Sequence, residues 1–497
     1  MNLNKLLNSR KLKYGAVAIL FSAAFIAVVI VANLIFTALD DKYNLKYDMT
    51  SDSIFTISQA TEEILSDIDD EITIKFLMPL DKAAEAEYSN TGFVVGKYIV
   101  ECAESYAQKF DNIKIEYVDM VRSPAEINKY RQSGDIKTTS VIVESSLRYK
   151  IISQRDFLAN DGTYIVGFNG EMKFTSAILE VTNPSQPVVT FTANHGEPVD
   201  AKLHEAFINA GYIVEYKDLS LDPINSETKI IVINNPTTDF LGLNSAKEGG
   251  ISEIELLNDY MNNFGHIMVF FSADNTAQLP ELEELLTSRG IKVNRGSVIK
   301  DMGMALSSDG YMSVASPAGE MYGSTITNGI TARMVTTLSS PIDILFTDKE
   351  TSDDGSYVYT SGTTYVDPVL STSANSEAVM PDGTVTSGPF NTMVLSSKYN
   401  YVNNEKKYSH LLVTSTGYFA NFVGDTSYGN EKLLYNAMKL MGQEKVPTDI
   451  GYKLFDSQTL EKIDQKAITN WAWFLIAVIP VTVAVIGLVV WLRRRHR

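Results

Sequence analysis

Cysteine is almost absent from this chain of 497 residues, in which Cys102 is the single example. No intrachain disulfide can form, so burial of apolar side chains has to stabilise the fold. Cys102 lies in GKYIVECAESYAQKF, where Tyr98, Ile99 and Tyr106 recur with it at helical spacing. We therefore expect Cys102 to be a buried core residue rather than a reactive thiol.

Basic residues are also scarce, with 42 Lys and Arg against 60 Asp and Glu, a formal charge of −18. All the acidic residues lie between residues 40 and 470, together with 34 of the basic ones, so this region has a charge of −26. A surface of this kind repels anionic polymers. The charge therefore predicts no nucleic-acid partner.

The motifs of ATP hydrolysis and of common metal sites are missing as well. No Gly-x-x-x-x-Gly-Lys-Ser/Thr loop and no Gly-rich dinucleotide loop occur, which excludes the chain as its own ATPase. His195 and His204 are nine residues apart, and neither a Glu-x-x-His nor a His-x-x-x-His pair is found. The acidic turn DIDDE lacks the ligand spacing of a calcium loop. We predict no metal ion and no cofactor.

Two long apolar runs lie near the ends of the chain. The first covers residues 14–39, more than the ~20 residues that cross a bilayer core. The second covers residues 471–492 and has Trp471, Trp473 and Trp491 near its two ends, as in an aromatic belt. We predict a transmembrane helix for each run. A cleaved signal peptide, the alternative for the first run, has a shorter apolar region and a clearer small-residue cleavage site.

The basic residues outside the two apolar runs predict on which side of the membrane each end of the chain lies. Four Lys and Arg residues precede residue 14, and four Arg residues follow Leu492. By the positive-inside rule, residues 1–13 and 493–497 form a cytoplasmic tip and a cytoplasmic tail. The sequence therefore predicts a two-pass protein in a lipid bilayer, with a large extracytoplasmic domain between the spans.

This domain is predicted to consist of two α/β units. Residues 40–186 alternate helices and strands, including a helix start at Ser58 and a helix over Gly170–Asn183, which favours a parallel or mixed sheet. Residues 187–445 form the second unit, whose part up to residue 300 reads as a doubly wound sheet with strands buried on both faces. A Ser/Thr/Tyr-rich insertion at about 303–397 is predicted to form short strands and exposed loops, and residues 446–470 a linker.

The turn in VVTFTANHGEPVD, which contains Asn194, His195, Gly196 and Glu197, is the candidate site. It follows a predicted strand and precedes a helix, and ligands bind at this end of the strands in open α/β sheets. His195 could serve as a general base that Glu197 orients. Hydrolases of this shape need a Ser or Cys nucleophile in a Gly-flanked elbow, and MVFFSADN, which contains Ser272, lacks the glycines.

Two further interpretations of this turn remain open. In the structural one, Gly196 supplies an unusual backbone angle, while Glu197 and Pro198 favour the first turn of the helix. In the binding one, the four residues contact a ligand or a partner protein. We predict no catalytic residue.

Several segments in a fixed order carry a resemblance to a known family. After the first apolar run come DMTSDSIFTISQATEEILSDIDDEITIKFLMP, TANHGEP, KIIVINNPTTDF, ELLNDYMNNFGHIMVFFSADN, GSTITNGI and GNEKLLYNAMKLMG, followed by the last apolar run and an Arg-rich tail. This order resembles the GldG-like family of auxiliary components of ABC-2-type transport systems. Between residues 303 and 397 only GSTITNGI matches, so no ligand site there is carried over.

The resemblance implies a bacterial plasma-membrane protein that works beside a permease and a separate ATPase subunit. It also implies a middle domain like a class I glutamine amidotransferase that has lost its nucleophile. We therefore expect a non-enzymatic auxiliary subunit whose extracytoplasmic domain binds substrate or an envelope partner. The alternatives are a membrane-tethered envelope hydrolase that uses His195 and Glu197, and a structural envelope tether.

Overall fold

The structure of the chain, a computed structural model, describes most residues between the predicted spans. The described residues are 21, 23–31, 33–35, 48, 50, 52–89, 92–133, 136–160, 164–244, 250–424, 427–442 and 445–455.

Half of the first predicted membrane span and all of the second lie outside the described residues. In the first span, residues 23–31 and 33–35 are helical, and their large apolar side chains are exposed. The second span, residues 471–492, and both predicted cytoplasmic ends are not among the described residues. No helix within the described ranges combines the length and the apolar character needed to cross a membrane.

The first α/β unit contains a small mixed sheet covered by helices. Its elements are α1 (Gln59–Leu65), β1 (Ile72–Phe76), α2 (Leu80–Ala84), α3 (Gly96–Lys109), β2 (Ile113–Tyr117), α4 (Pro124–Ile127), β3 (Val141–Glu144), β4 (Tyr149–Ile152), β5 (Leu158–Asn160), β6 (Ile165–Phe168) and α5 (Gly170–Thr182). The strand order is β2-β1-β3-β4, with β1 parallel to β2 and antiparallel to β3. The predicted mixed sheet is therefore confirmed.

Helices α1 and α3 follow the sequence patterns that predicted them. Ser58 caps α1, and its Oγ accepts a hydrogen bond from the Thr61 amide at 3.3 Å. In α3, Ile99, Cys102 and Tyr106 are buried on one face. Burial raises the pKa of the Cys102 thiol, which keeps the thiol protonated. The prediction of a buried core cysteine is confirmed.

The second unit is built on parallel strands with helices on both faces. Its first elements are β7 (Val188–Thr192), α6 (Ala201–Asn209), β8 (Ile213–Lys217), β9 (Thr228–Asn234), α7 (Glu253–Asn262), β10 (His266–Phe270), α8 (Pro280–Ser288), β11 (Ile291–Val293) and β12 (Val298–Lys300). Ile230 and Val232 of β9 contribute to one apolar core together with α6, whereas Ile231 and Ile233 contribute to another with α7 and α8. The sheet is thus doubly wound, as the buried strands predicted.

The Ser/Thr/Tyr-rich section extends this same sheet. From this section to the end of the described domain, the elements are β13 (Met312–Pro317), α9 (Tyr322–Thr327), β14 (Met334–Thr337), β15 (Ile342–Ile344), β16 (Asp348–Thr351), β17 (Tyr357–Ser361), β18 (Thr364–Ser371), β19 (Glu377–Val379), β20 (Val385–Ser387), β21 (Asn391–Val402), β22 (Glu405–Thr414), α10 (Asn430–Leu440) and β23 (Lys453–Leu454). The main path of the sheet runs β14-β13-β18-β21-β22-β10-β9-β7-β8. Neighbouring strands are parallel from β22 to β8 and antiparallel from β14 to β22.

Two predictions about this region need correction. The segment at 303–397 contains short strands, as predicted, but it is not an insertion of short strands and exposed loops alone, because the long strands β18 and β21 are largely buried within the main sheet. Residues 446–454 do not behave as a linker, since Val446 and Ile450 are buried and β23 pairs with β6. Burial of the apolar side chains of Val446 and Ile450 removes them from water, and this favours a packed segment over a solvent-exposed linker.

The two ends of the described domain meet at Glu171, which is only 5% exposed. Its Oε1 accepts hydrogen bonds from the Ser58 amide at 2.6 Å and the Thr61 hydroxyl at 2.7 Å, and its Oε2 lies 2.9 Å from Lys453 Nζ. Burial raises the pKa of this carboxyl, but Lys453 and the hydrogen bonds outweigh it and lower the pKa. Residues 53–454 accordingly belong to one compact unit.

Candidate functional sites

The His195 turn begins directly after β7 and is fixed to the loop that follows β9. Asn194 and Gly196 both have a φ of +78°. A Cβ on Gly196 would lie 2.0 Å from Thr237 Oγ1, so only glycine fits here. The carbonyl of His195 accepts hydrogen bonds from the amides of Thr237 and Thr238 at 2.8 and 2.9 Å. Backbone contacts therefore set the conformation of the turn.

The imidazole of His195 lies between two carboxylates and is only 5% exposed. Its Nδ1 is 3.1 Å from Glu197 Oε1, and its Nε2 is 2.9 Å from Glu253 Oε2. One face of the ring stacks on Phe240, with a distance of 3.9 Å between the ring centres. Both ring nitrogens therefore have an anionic partner.

The two carboxylates are held in turn by the surrounding backbone. Glu197 accepts hydrogen bonds from the His195 amide and the Thr192 hydroxyl, each at 2.7 Å. Glu253, at the start of α7, accepts one from the Leu241 amide at 2.8 Å. Burial lowers the pKa of His195, but the hydrogen bonds to both carboxylates outweigh it and raise the pKa to about 9. The ring is consequently protonated at neutral pH.

This arrangement limits the chemistry of the turn. A protonated imidazole that donates both of its N–H groups to carboxylates has no lone pair with which to act as a general base. Asn194 points elsewhere, since its Nδ2 donates to Asp218 at 2.9 Å. The structure thus brings His195 and Glu197 together in a buried ion-pair network, whose third member, Glu253, sequence reasoning missed.

Ser272, just after β10 and at the position that a nucleophile elbow would occupy, is closely packed. Its hydroxyl donates a hydrogen bond to Asp274, and its amide donates to Asn235 Oδ1 at 3.2 Å. A Cβ on Gly417 would lie 2.3 Å from its Oγ. A carboxylate partner without an imidazole does not reproduce the Ser-His pair of a hydrolase.

A cavity of about 340 Å³ lies elsewhere, between the two α/β units. It is lined by residues of β5, α5 and α6, by Glu431 at the start of α10, and by the segments 421–424 and 450–452. Its polar lining includes Asn169, Lys202, Glu205 and Asn421. Sequence reasoning missed this site because its walls come from segments far apart in the chain.

Glu431 is the distinctive group in this cavity. Its Oε1 accepts a hydrogen bond from the Tyr435 hydroxyl at 3.2 Å. Burial raises the pKa of its carboxyl to about 7, and Glu205 contributes in the same direction, while Tyr435, the Gly424 amide and Lys173 act against this rise. A carboxyl that changes charge near neutral pH inside a cavity is a candidate binding group.

Comparison with known proteins gives limited matches. A family model described as a domain of unknown function, DUF7088, matches residues 51–155, the region that holds β1 to β4. The comparison with curated proteins gives no match.

Several solved structures are similar to about half of the chain. The N-terminal domain of mmIFT52 has 14% identity and a TM-score of 0.34, covering 51% of this chain and 96% of its own. PurLQS from Thermotoga maritima has 11% identity and a TM-score of 0.27, with coverages of 52% and 99%. A putative GMP synthase protein from Thermoplasma acidophilum has 6% identity and a TM-score of 0.24, with coverages of 52% and 96%. Scores this low do not establish a shared fold, so the α/β architecture rests on the strand pairing described above.

Proposed function

We propose that this chain is a non-enzymatic auxiliary membrane subunit of an ABC-type transport system. Its two apolar runs, residues 14–39 and 471–492, cross the bacterial plasma membrane, and its acidic α/β domain lies outside the cytoplasm. That domain binds a transported substrate or an envelope partner. The ordered motifs and the basic residues at both ends support this assignment.

The state of His195 carries the non-enzymatic part of the proposal. A tethered hydrolase would need His195 as a base, yet Glu197 and Glu253 occupy both of its nitrogens at 3.1 and 2.9 Å. The Ser272 hydroxyl is committed to Asp274. Within the described residues, the two positions considered for catalysis are therefore satisfied by structural contacts.

The partners follow from the same reasoning. The chain has no phosphate-binding loop, so ATP hydrolysis belongs to a separate protein. We therefore propose that the membrane helices pack beside a permease, which couples the chain to the ATPase.

Mild-detergent purification of the tagged protein from its native cells tests this proposal. We expect mass spectrometry to recover an ABC ATPase and a multi-span permease in amounts comparable to the tagged chain. A second membrane protein with the same tag, purified in parallel, serves as the control. Absence of both partners from an intact, membrane-embedded sample would contradict the transport assignment and favour a structural tether.

A hydrolytic assay separates the proposal from the enzyme alternative. Purified wild-type protein and the double variant His195→Ala/Glu197→Ala are incubated with cell-envelope material, and released soluble fragments are measured. We expect no release above background from either protein. Release by the wild type that disappears in a folded double variant would show that the turn is catalytic and would overturn the non-enzymatic assignment.

A further inference from the structure

The cavity between the two α/β units has the size of a small-molecule site. Its volume of about 340 Å³ falls at the lower end of the ~300–1,000 Å³ typical of ligand pockets. Its walls combine apolar side chains, such as Met172 and Val423, with polar ones. Pockets of this mixed character orient a ligand with a few polar contacts and bury its remaining surface.

The charged side chains that line the cavity differ in whether a residue of opposite charge lies beside them. Glu205 pairs with Lys173, whose Nζ lies 2.6 Å from Glu205 Oε1 and 2.9 Å from Asn209 Oδ1. Lys202 is exposed, and its Nζ lies 3.4 Å from the carbonyl of Asn421. By contrast, Glu431 has no basic partner within ion-pair distance among the described residues. The cavity therefore offers a carboxylate that lacks a cation.

A carboxylate in such a place favours a cationic ligand. Removing an ionised carboxylate from water is costly unless a cation or several hydrogen bonds replace the water. The hydroxyl of Tyr435, at 3.2 Å, and the amide of Gly424 supply hydrogen bonds to Glu431, but neither supplies a positive charge. Asn169 and Asn421 line the same cavity, and asparagine side chains can exchange hydrogen bonds with hydroxyl groups.

We propose that this cavity binds a small polyhydroxylated amine, whose ammonium group pairs with Glu431 and whose hydroxyls contact Asn169 and Asn421. The ammonium group of the ligand supplies the positive charge that no described residue places within ion-pair distance of Glu431. The proposal goes beyond the transport assignment, because it holds whichever membrane partner the chain has. It deepens that assignment if the amine is the substrate that the domain receives.

The pH dependence of binding is set by the groups that face Glu431. These are Glu205 from α6, Lys173 from α5, and Tyr435 from α10. Burial and Glu205 hold the pKa of Glu431 at about 7, so its ionised fraction rises steeply between pH 6 and pH 8. An ammonium ligand binds the ionised form and thus binds more tightly as the pH rises through this range.

Titration calorimetry on the full chain in detergent micelles tests the proposal, with glucamine as the probe and sorbitol as its uncharged counterpart. We expect glucamine to bind at pH 8 with an affinity at least about tenfold higher than that of sorbitol. We also expect it to bind roughly tenfold more weakly at pH 6, because only about a tenth of a carboxyl with a pKa near 7 is then ionised.

Three variants distinguish this site from non-specific binding. Glu431→Gln keeps the side-chain shape and removes the charge, and we expect it to lose glucamine binding at pH 8. Asn421→Ala, an exposed change that puts little of the fold at risk, is expected to weaken binding several-fold. Glu255→Gln, which removes an exposed carboxylate from α7 outside the cavity, should bind like the wild type.

Any one of three results would overturn the proposal. Failure of glucamine to bind the wild type at pH 8, equal binding of sorbitol, or unchanged binding in a folded Glu431→Gln variant would each reject an ammonium site here. None of these results depends on which proteins are recovered with the chain. The purification and the titration therefore fail independently of each other.

Discussion

His195 is buried and positively charged, and both properties depend on the carboxylates on either side of it. Glu197 and Glu253 lie on opposite sides of the ring and are themselves 5% and 1% exposed as side chains. In a buried group of this kind the cation and the anions stabilise one another, and removal of one member leaves the others without compensation.

We expect His195→Ala to reduce the free energy of unfolding by about 3–5 kcal/mol, because it leaves two buried carboxylates unpaired. Urea unfolding followed by circular dichroism measures this loss. His204→Ala is the matched control, since His204 is half-buried and contacts the hydroxyl of Tyr216 rather than a carboxylate. The control should lose no more than about 1 kcal/mol. Equal losses in the two variants would contradict a structural role for the ion-pair network.

The same network predicts how stability depends on pH. The pKa of His195 is raised to about 9 in the folded chain, above the value of ~6.5 expected in the unfolded chain. The stability that its protonated form contributes, roughly 3 kcal/mol, is therefore fully present below pH 6.5 and is lost as the pH rises through 9.

Unfolding of the wild type and of His195→Gln between pH 6 and pH 10 checks this dependence. The wild type should be the more stable protein at pH 6, and the difference should shrink toward pH 10. A constant difference across this range would show that His195 is not protonated in the fold.

Sequence reasoning found part of this network and missed the rest. Asn194, His195, Gly196 and Glu197 are contiguous, so their proximity was evident, and the glycine predicted an unusual backbone angle. Glu253 lies 58 residues beyond His195 and reaches it only because α7 begins beside the end of β7. Nothing in the local pattern SEIELL distinguishes an inward-facing glutamate at a helix start from a solvated one.

At the scale of elements, the turn after β7 depends on the absence of a side chain at Gly196. We expect Gly196→Ala to lower the free energy of unfolding by at least about 2–3 kcal/mol. The added Cβ would combine an unfavourable φ with a clash against Thr237 Oγ1. Gly355→Ala is the matched control: its φ is +89°, and nothing lies within 4 Å of the added Cβ.

Urea unfolding of both variants separates backbone strain from the clash. The Gly355→Ala variant should lose about 1–2 kcal/mol from strain alone, and the difference between the two variants measures the contact with Thr237. Similar losses would show that Thr237 moves aside at little cost.

The strands that sequence patterns predicted best are those of the parallel half of the sheet. KIIVIN and HIMVFF are continuous apolar runs, which a strand buried on both faces requires. Sequence patterns predict the antiparallel half poorly, because its buried positions include many hydroxyl groups. Ser396 donates to the carbonyl of Arg289 at 2.8 Å, and Ser415 donates to that of Ser340 at 2.6 Å. Such contacts compensate buried serines, but a composition rich in Ser and Thr is also typical of loops.

For the molecule as a whole, Cys102 provides a measure of unfolding. It is the single cysteine of the chain, is 3% exposed, and lies on the inner face of α3. We expect a thiol reagent to modify it only after this part of the chain opens, because burial both hides the thiol and raises its pKa. The labelling rate should therefore rise with urea in parallel with global unfolding.

Val121→Cys provides the control, since Val121 is 79% exposed. The added thiol should react at once in native buffer while Cys102 remains unmodified. Rapid labelling of Cys102 in the native wild type would contradict its placement in the core.

The meeting point at Glu171 has a mechanical consequence. The carboxylate joins the amide of Ser58 to the ammonium group of Lys453, and β23 pairs with β6 immediately beside it. A pulling force applied between residues 53 and 454 would pass along this short path. Lys453 also donates hydrogen bonds to the carbonyls of Ser53 and Thr56. The doubly wound sheet and its antiparallel extension lie outside the path, so tension would break these contacts of Lys453 and its ion pair with Glu171 before it strained either of them.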